Sequence, residues 1–285
     1  MACECKKVSG SEFCKMTATA CSKTPYPEWN DPLLGVNYGN QNQGPCCFIA
    51  SLSAIAWIWP YNVEPFKCRS PFSTEADGTR KYKIPFKFPP ENIEINEKVA
   101  LEGSNYCFSR SMDAQELWVS LYEKAYARKL TQADMCDSYA SVPWPGNAID
   151  PLKHITGYSA NSEIDSTKIY SKIQSKCMSY KTKYATVVWS SSHAYSVLGY
   201  MPYNSTEYLV LRDPAGSNLY IRSDIVENVD WSIPEDFVWN PFTNTKSNSP
   251  CRGGSLKIRL TGGIFGLKYD KVKDYFQGCA WAGPV

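Results

Sequence analysis

Long apolar runs, a surplus of charge of one sign and histidine are what this chain has little of. No stretch approaches the roughly 18 consecutive apolar residues of a membrane-spanning helix. The opening Met-Ala-Cys-Glu-Cys-Lys-Lys has no apolar centre of the kind a secretory leader carries, so an exported form is expected to have lost its leader. Lys and Arg number 30 against 28 Asp and Glu, a formal net charge of +2, with no basic block and no acidic tail. Such a balance provides no field for a polyanion, and neither a nucleic acid nor a membrane partner is expected. With only two histidines, His154 and His193, the candidates for a general base are few.

What the chain has in quantity is length, aromatics and cysteine. Its 285 residues suffice for one large domain or two smaller lobes with ample core. The 12 cysteines cluster at Cys3, Cys5, Cys14 and Cys21 and are otherwise dispersed, which favours disulfides and an oxidising compartment. The spacing of the first four fits no familiar zinc finger. Asn204-Ser-Thr is a glycosylation acceptor pattern of low specificity.

The most informative stretch runs from Gln41 to Trp59, a polar turn followed by an apolar segment with bulky residues at Phe48, Leu52, Ile55 and Trp59. That spacing is helical. Gly44 and Pro45 break the chain just ahead, which puts Cys47 at or near a helix N-terminus. Free amides and the helix dipole there favour a thiolate, the nucleophilic form of cysteine. Farther along, Asp113 to Ala127 reads as an amphipathic helix with Asp113 and Glu116 as a capping box. Lys81 to Phe88 is a possible strand or two, although Pro85, Pro89 and Pro90 argue against a central one. From Pro143-Trp-Pro-Gly146 onward the chain changes character, with strands expected over Tyr184–Trp189, His193–Tyr200, Tyr208–Arg212 and Leu256–Leu260. Strands following a mainly helical half give an α+β fold class. His154 has no acidic or amide partner at an obvious distance and reads as structural.

Several of these segments resemble the protease core of calpains, cysteine proteases of the papain-like type. His193-Ala-Tyr-Ser-Val matches the calpain histidine motif, and Glu116-Leu-Trp with Leu121-Tyr-Glu-Lys-Ala-Tyr-Ala127 resembles the second signature helix. Tyr208-Leu-Val-Leu-Arg-Asp-Pro-Ala-Gly216 resembles the strand that ends in the family's catalytic Asn, and Gly263 to Phe276 resembles the closing segment. The likeness covers roughly 41 to 276 and implies a two-lobed fold, lobes 1–143 and 144–285, without the family's β-sandwich and EF-hand domains.

The resemblance also implies roles. Gln41, six residues before Cys47, falls where the family places its oxyanion amide, whereas Asn40 stands six before the competing Cys46, so the spacing selects Cys47. His193 is then the base and Asp213, in place of Asn, its orienting partner. Gly146 matches a substrate-contacting glycine of the cleft floor, and Ser192 replaces the glycine before the histidine. Ala215 stands where the family has a tryptophan that shields the histidine. Calcium-ligand positions hold Tyr38 and Leu219, with only Glu123 retained, so no cofactor is expected and calcium is not required. The expected activity is that of a monomeric, calcium-independent endopeptidase acting on protein or peptide substrates through a thioester. The alternatives are a transglutaminase- or deamidase-type acyl transferase and a non-catalytic binding module.

Overall fold

The computed structural model describes residues 3–13, 45–58, 69–111, 115–132, 142–178, 180–216, 220–232, 237–240, 245–248, 255–258 and 263–283. Gln41, Tyr38, Trp59, Asp113 and Leu219 lie outside these residues.

The chain begins with a short strand, β1 (Glu4–Lys6), and the first helix is α1 (Cys46–Ile58). Every residue of α1 from Cys47 to Ile58 is buried. A helix this apolar around its whole circumference is stable only when covered on all sides. A hairpin follows, β2 (Arg80–Lys87) and β3 (Pro90–Asn96), then β4 (Val99–Glu102), which pairs antiparallel with β1. Residues Ser73–Thr74 add a third strand to the hairpin, but they pair only with Arg80 and Lys81. Pro85 thus sits in the middle strand at a level where its sole ladder partner is Asn92, which is how the strand tolerates a residue without an N–H. A disulfide joins Cys3 to Cys107 across a sequence separation of 104. Cys5 is also disulfide-bonded, while Cys46, Cys47, Cys177 and Cys279 are free thiols.

The next helix, α2 (Trp118–Thr131), starts later than its sequence suggested. Asp113 of the expected capping box lies outside the described residues; Glu116 bridges Glu12, and the amides of Leu117 and Trp118 donate to the carbonyls of Glu12 and Phe13, both at 3.0 Å. Backbone carbonyls of the N-terminal segment thus satisfy donors that a side-chain cap would otherwise take. Phe48 of α1 stacks on Tyr126 of α2 with ring centroids 4.4 Å apart.

After the bend at 146–148 come α3 (Ile149–Thr156), β5 (Ala160–Glu163) and α4 (Ile169–Ser175). The long strands β6 (Lys181–Trp189), β7 (Ala194–Tyr203) and β8 (Thr206–Arg212) follow, then β9 (Ile264–Lys268), a short helix α5 (Val272–Tyr275) and β10 (Gly278–Ala282). They form an eight-stranded sheet in the order Ile225–Val226, β9, β8, β7, β6, β10, β5, with Cys177–Met178 pairing β6. Mixed helix and sheet agree with the α+β expectation. Two residues with positive φ, Asn204 and Ser205, make the tight turn between β7 and β8.

α1 packs on β6 and β7. Buried polar bonds fix its position as well as its apolar surface does: Ser196 Oγ donates to the Ala50 carbonyl at 2.8 Å, and Trp57 Nε1 to the Leu198 carbonyl at 2.9 Å. Arg212 Nη1, at the end of β8, reaches Ser53 Oγ at 3.3 Å. These bonds satisfy groups that would be costly to bury alone, and they set the helix in one register on the sheet.

Candidate active site

β7 and β8 are antiparallel neighbours in which Ser196 pairs with Arg212. His193 immediately precedes β7 and Asp213 immediately follows β8, so the sheet delivers both to the same end. The loop from Trp189 to Ala194 is held by Ser190, whose hydroxyl accepts from the His193 amide at 3.1 Å and donates to the His193 carbonyl at 3.2 Å. The Ser190 amide also donates to that carbonyl, at 2.8 Å. Ser190 was missed in the sequence reading; the run Ser190-Ser-Ser192 is the signal, since serine hydroxyls commonly close turns on neighbouring backbone.

His193 Nε2 donates to Asp213 Oδ1 at 2.8 Å, and the pair is almost sealed from solvent, His193 at 4% exposure and Asp213 at 0%. The Ala215 amide donates to the same Asp213 oxygen at 2.8 Å, and the Asp213 amide to the Gly263 carbonyl at 2.9 Å. Gly263 has a φ of +72°, and a Cβ there would stand 2.6 Å from the Asp213 carbonyl oxygen, so this turn closes only over a glycine.

The thiol that meets His193 is that of Cys46, near enough to the ring for each group to shift the other's ionisation. With Nε2 engaged by Asp213, Nδ1 is the nitrogen left to face it. Cys47, the residue selected by spacing, is 4% exposed and faces the core. The difference between the two thiols has a helical cause: the Ile49 amide donates to the Pro45 carbonyl at 2.8 Å, so Cys46 is the opening residue of α1. One position on, the side chain already points into the all-round buried surface of the helix.

The electrostatics follow the geometry. The Cys46 thiol is held well below its ordinary range by the Cys47 thiol beside it and, against the cost of burial, by the hydrogen bond and charge of His193. Cys47 is pushed far up by its contact with Cys46 and by burial. Burial alone would lower His193, but Asp213 and Cys46 outweigh it and raise the imidazole to about 9. The two shifts run in the directions that favour a thiolate at Cys46 beside an imidazolium at His193.

Of the remaining candidates, Ser192 is exposed next to His193, its amide donating to Ser190 Oγ at 3.3 Å, and Gly146 is exposed in the bend before α3. His154 is engaged elsewhere, its Nδ1 bonded to the Tyr126 hydroxyl at 3.0 Å. Glu123 is buried in α2, and both of its carboxylate oxygens accept from Ser109, one from the amide at 3.0 Å and the other from the hydroxyl at 2.7 Å. Among the described residues no group of three or more His, Cys, Asp or Glu side chains is placed to hold a metal.

A protein of Porphyromonas gingivalis (strain ATCC BAA-308 / W83) named as a thiol protease is 26% identical over 270 residues, covering 84% of this chain and 53% of its own length. The chain therefore spans about half the length of that relative. The model of the calpain family cysteine proteases matches residues 36–236, a span that includes Cys46, His193 and Asp213. On a match over more than half of its length, the chain belongs to the calpain family of cysteine proteases.

Proposed function

We propose that the chain is a cysteine endopeptidase in which Cys46 is the nucleophile, His193 the acid and base, and Asp213 the group that orients the imidazole. The observation that carries this reading is the single array in which one buried ring bonds Asp213 through Nε2 at 2.8 Å and contacts the Cys46 thiol. The Cys46 thiolate attacks the peptide carbonyl, and the developing oxyanion lies at the start of α1, where backbone amides have no helical acceptor. With Cys46 as the nucleophile the six-residue spacing falls on Asn40 in place of Gln41, and the Asn40 side-chain amide is proposed as the second oxyanion donor. Imidazolium at His193 then protonates the departing amine, leaving a thioester on Cys46, and neutral His193 next activates the water that hydrolyses it.

We place this site between two lobes, 1–143 and 144–285. The division is supported by the origin of the parts: Cys46 and α2 precede it, while every strand of the large sheet, with His193 and Asp213, follows it. Activity is proposed to be independent of calcium, since Ser109 already occupies the Glu123 carboxylate.

Incubation with casein and with the thiol-reactive epoxide E-64 tests the assignment. Casein fragments and an adduct that peptide mapping puts on Cys46 are expected. Cys46→Ala should lose at least about 10⁴-fold in kcat, while Cys47→Ala should still form the adduct. An adduct on Cys47 that survives Cys46→Ala would reverse the choice of nucleophile. The carboxylate at position 213 also suits an acyl transferase, in which an amine rather than water intercepts the thioester; a tagged amine incorporated into casein without fragments would select that reading.

A further inference from the structure

Tyr220 is a large aromatic side chain left 56% exposed, yet it lies over the His193 ring with centroids 4.3 Å apart and planes inclined by 31°. Its neighbour Ile221 is 3% exposed, which anchors the backbone at this point. The edge of Tyr195 meets the same imidazole at 4.9 Å and 86°, so two aromatic rings bracket it. Asp213 and Cys46 both oppose ionisation of the Tyr220 phenol, after burial, which puts the ring within reach of the charges on either side of His193. Ala215, two residues after Asp213, supplies an amide to its carboxylate but has no side chain large enough to cover the pair.

We propose that Tyr220 is the cover that keeps water from the His193–Asp213 hydrogen bond, and hence a positioning residue for the imidazole. The claim rests on the catalytic reading of His193 but concerns a residue outside that array. A hydrogen bond between an imidazolium and a carboxylate is stronger where water is excluded, because the effective dielectric is lower. A ring face also favours a cation placed over it. Both effects hold the imidazole in the rotamer that presents Nδ1 to Cys46. Since the work is done by the ring, the hydroxyl is dispensable.

Two measurements on Tyr220→Ala, Tyr220→Phe and Tyr220→Trp test this. In proton NMR the ring N–H of His193 bonded to Asp213 should give a protected downfield resonance in the wild type and in the two aromatic variants, readable because the chain has only two histidines. In Tyr220→Ala it should broaden by exchange with water. Peptidase kinetics should show kcat about tenfold lower in Tyr220→Ala with KM within about twofold, and near-wild-type values for Phe and Trp. A protected resonance that persists in Tyr220→Ala, or a Phe variant as impaired as the Ala variant, overturns the proposal. If the wild type cleaves no peptide but the resonance behaves as described, the cover stands and the proteolytic reading fails.

Discussion

One step along a helix turns a side chain through about 100°, and at the start of α1 that rotation separates a thiol facing an imidazole from a thiol facing the core. Cys46 and Cys47 are otherwise the same chemical group, so their difference is entirely one of placement. The pH dependence of activity should report it. The thiolate forms as pH rises through the lowered value of Cys46, and the imidazolium is lost as pH rises through about 9, so kcat/KM should be bell-shaped with its alkaline limb near pH 9. In Asp213→Asn the charge that helps to raise His193 is removed, and the alkaline limb should move to lower pH; an unmoved limb would show that Asp213 does not set it. The residues of this array were largely legible in the chain. His193 and Asp213 stood at the ends of readable strands, and the helix start was placed to within a residue. The choice between the adjacent cysteines differs with the signal used: the spacing to Gln41 selects Cys47, whereas the helix start favours Cys46. The available signal was the run from Cys47 to Ile58, which contains no charged residue and therefore belongs wholly to the interior.

At the scale of elements, the site depends on how two strand ends and one helix end are brought together. The β7–β8 hairpin was legible from its alternation and its Asn204-Ser205 turn, and the bonds that lock α1 to it were not, since Ser196, Ser53 and Arg212 acquire partners only in three dimensions. The later start of α2 is similar, because its donors are satisfied by residues 12 and 13, more than a hundred positions away. β7 itself bulges between Val197 and Gly199, where a Cβ on Gly199 would lie 1.8 Å from the Tyr180 carbonyl oxygen. Gly263 constrains the site more directly. Gly263→Ala adds a side chain in the left-handed region and against the Asp213 carbonyl, so it should lower stability by about 1–3 kcal/mol and reduce kcat further than the folded fraction explains. Urea unfolding paired with active-site titration separates the two effects; a variant with wild-type kcat per folded molecule would detach this turn from the positioning of Asp213.

For the whole molecule, the described apolar residues make one contiguous core that passes from α2 through α1 into the large sheet. No helix among them is long and apolar enough to cross a membrane. A core shared in this way favours a site whose geometry is assembled by folding itself, with Ser109 serving as the fixed partner of Glu123. Peptidase activity should accordingly be the same in EDTA as in millimolar calcium, and a calcium titration that switches the enzyme on would remove that conclusion. The proposed division at 143 drew on the change of composition near Pro143-Trp-Pro-Gly146, whereas the packing of α1 on β6 and β7 required the folded sheet.

The cross-link between Cys3 and Cys107 sets a practical condition on handling such an enzyme. Closing a loop of about 100 residues stabilises a fold by up to roughly 4–5 kcal/mol in the chain-entropy picture, whereas Cys46, as the proposed nucleophile, has to remain a free sulfur. A strong dithiol that guards the nucleophile will also open the clasp that ties β1 to the segment after β4. Activity lost in such a buffer then reports a loosened amino-terminal region, and a mild monothiol is the reagent that spares both sulfur states.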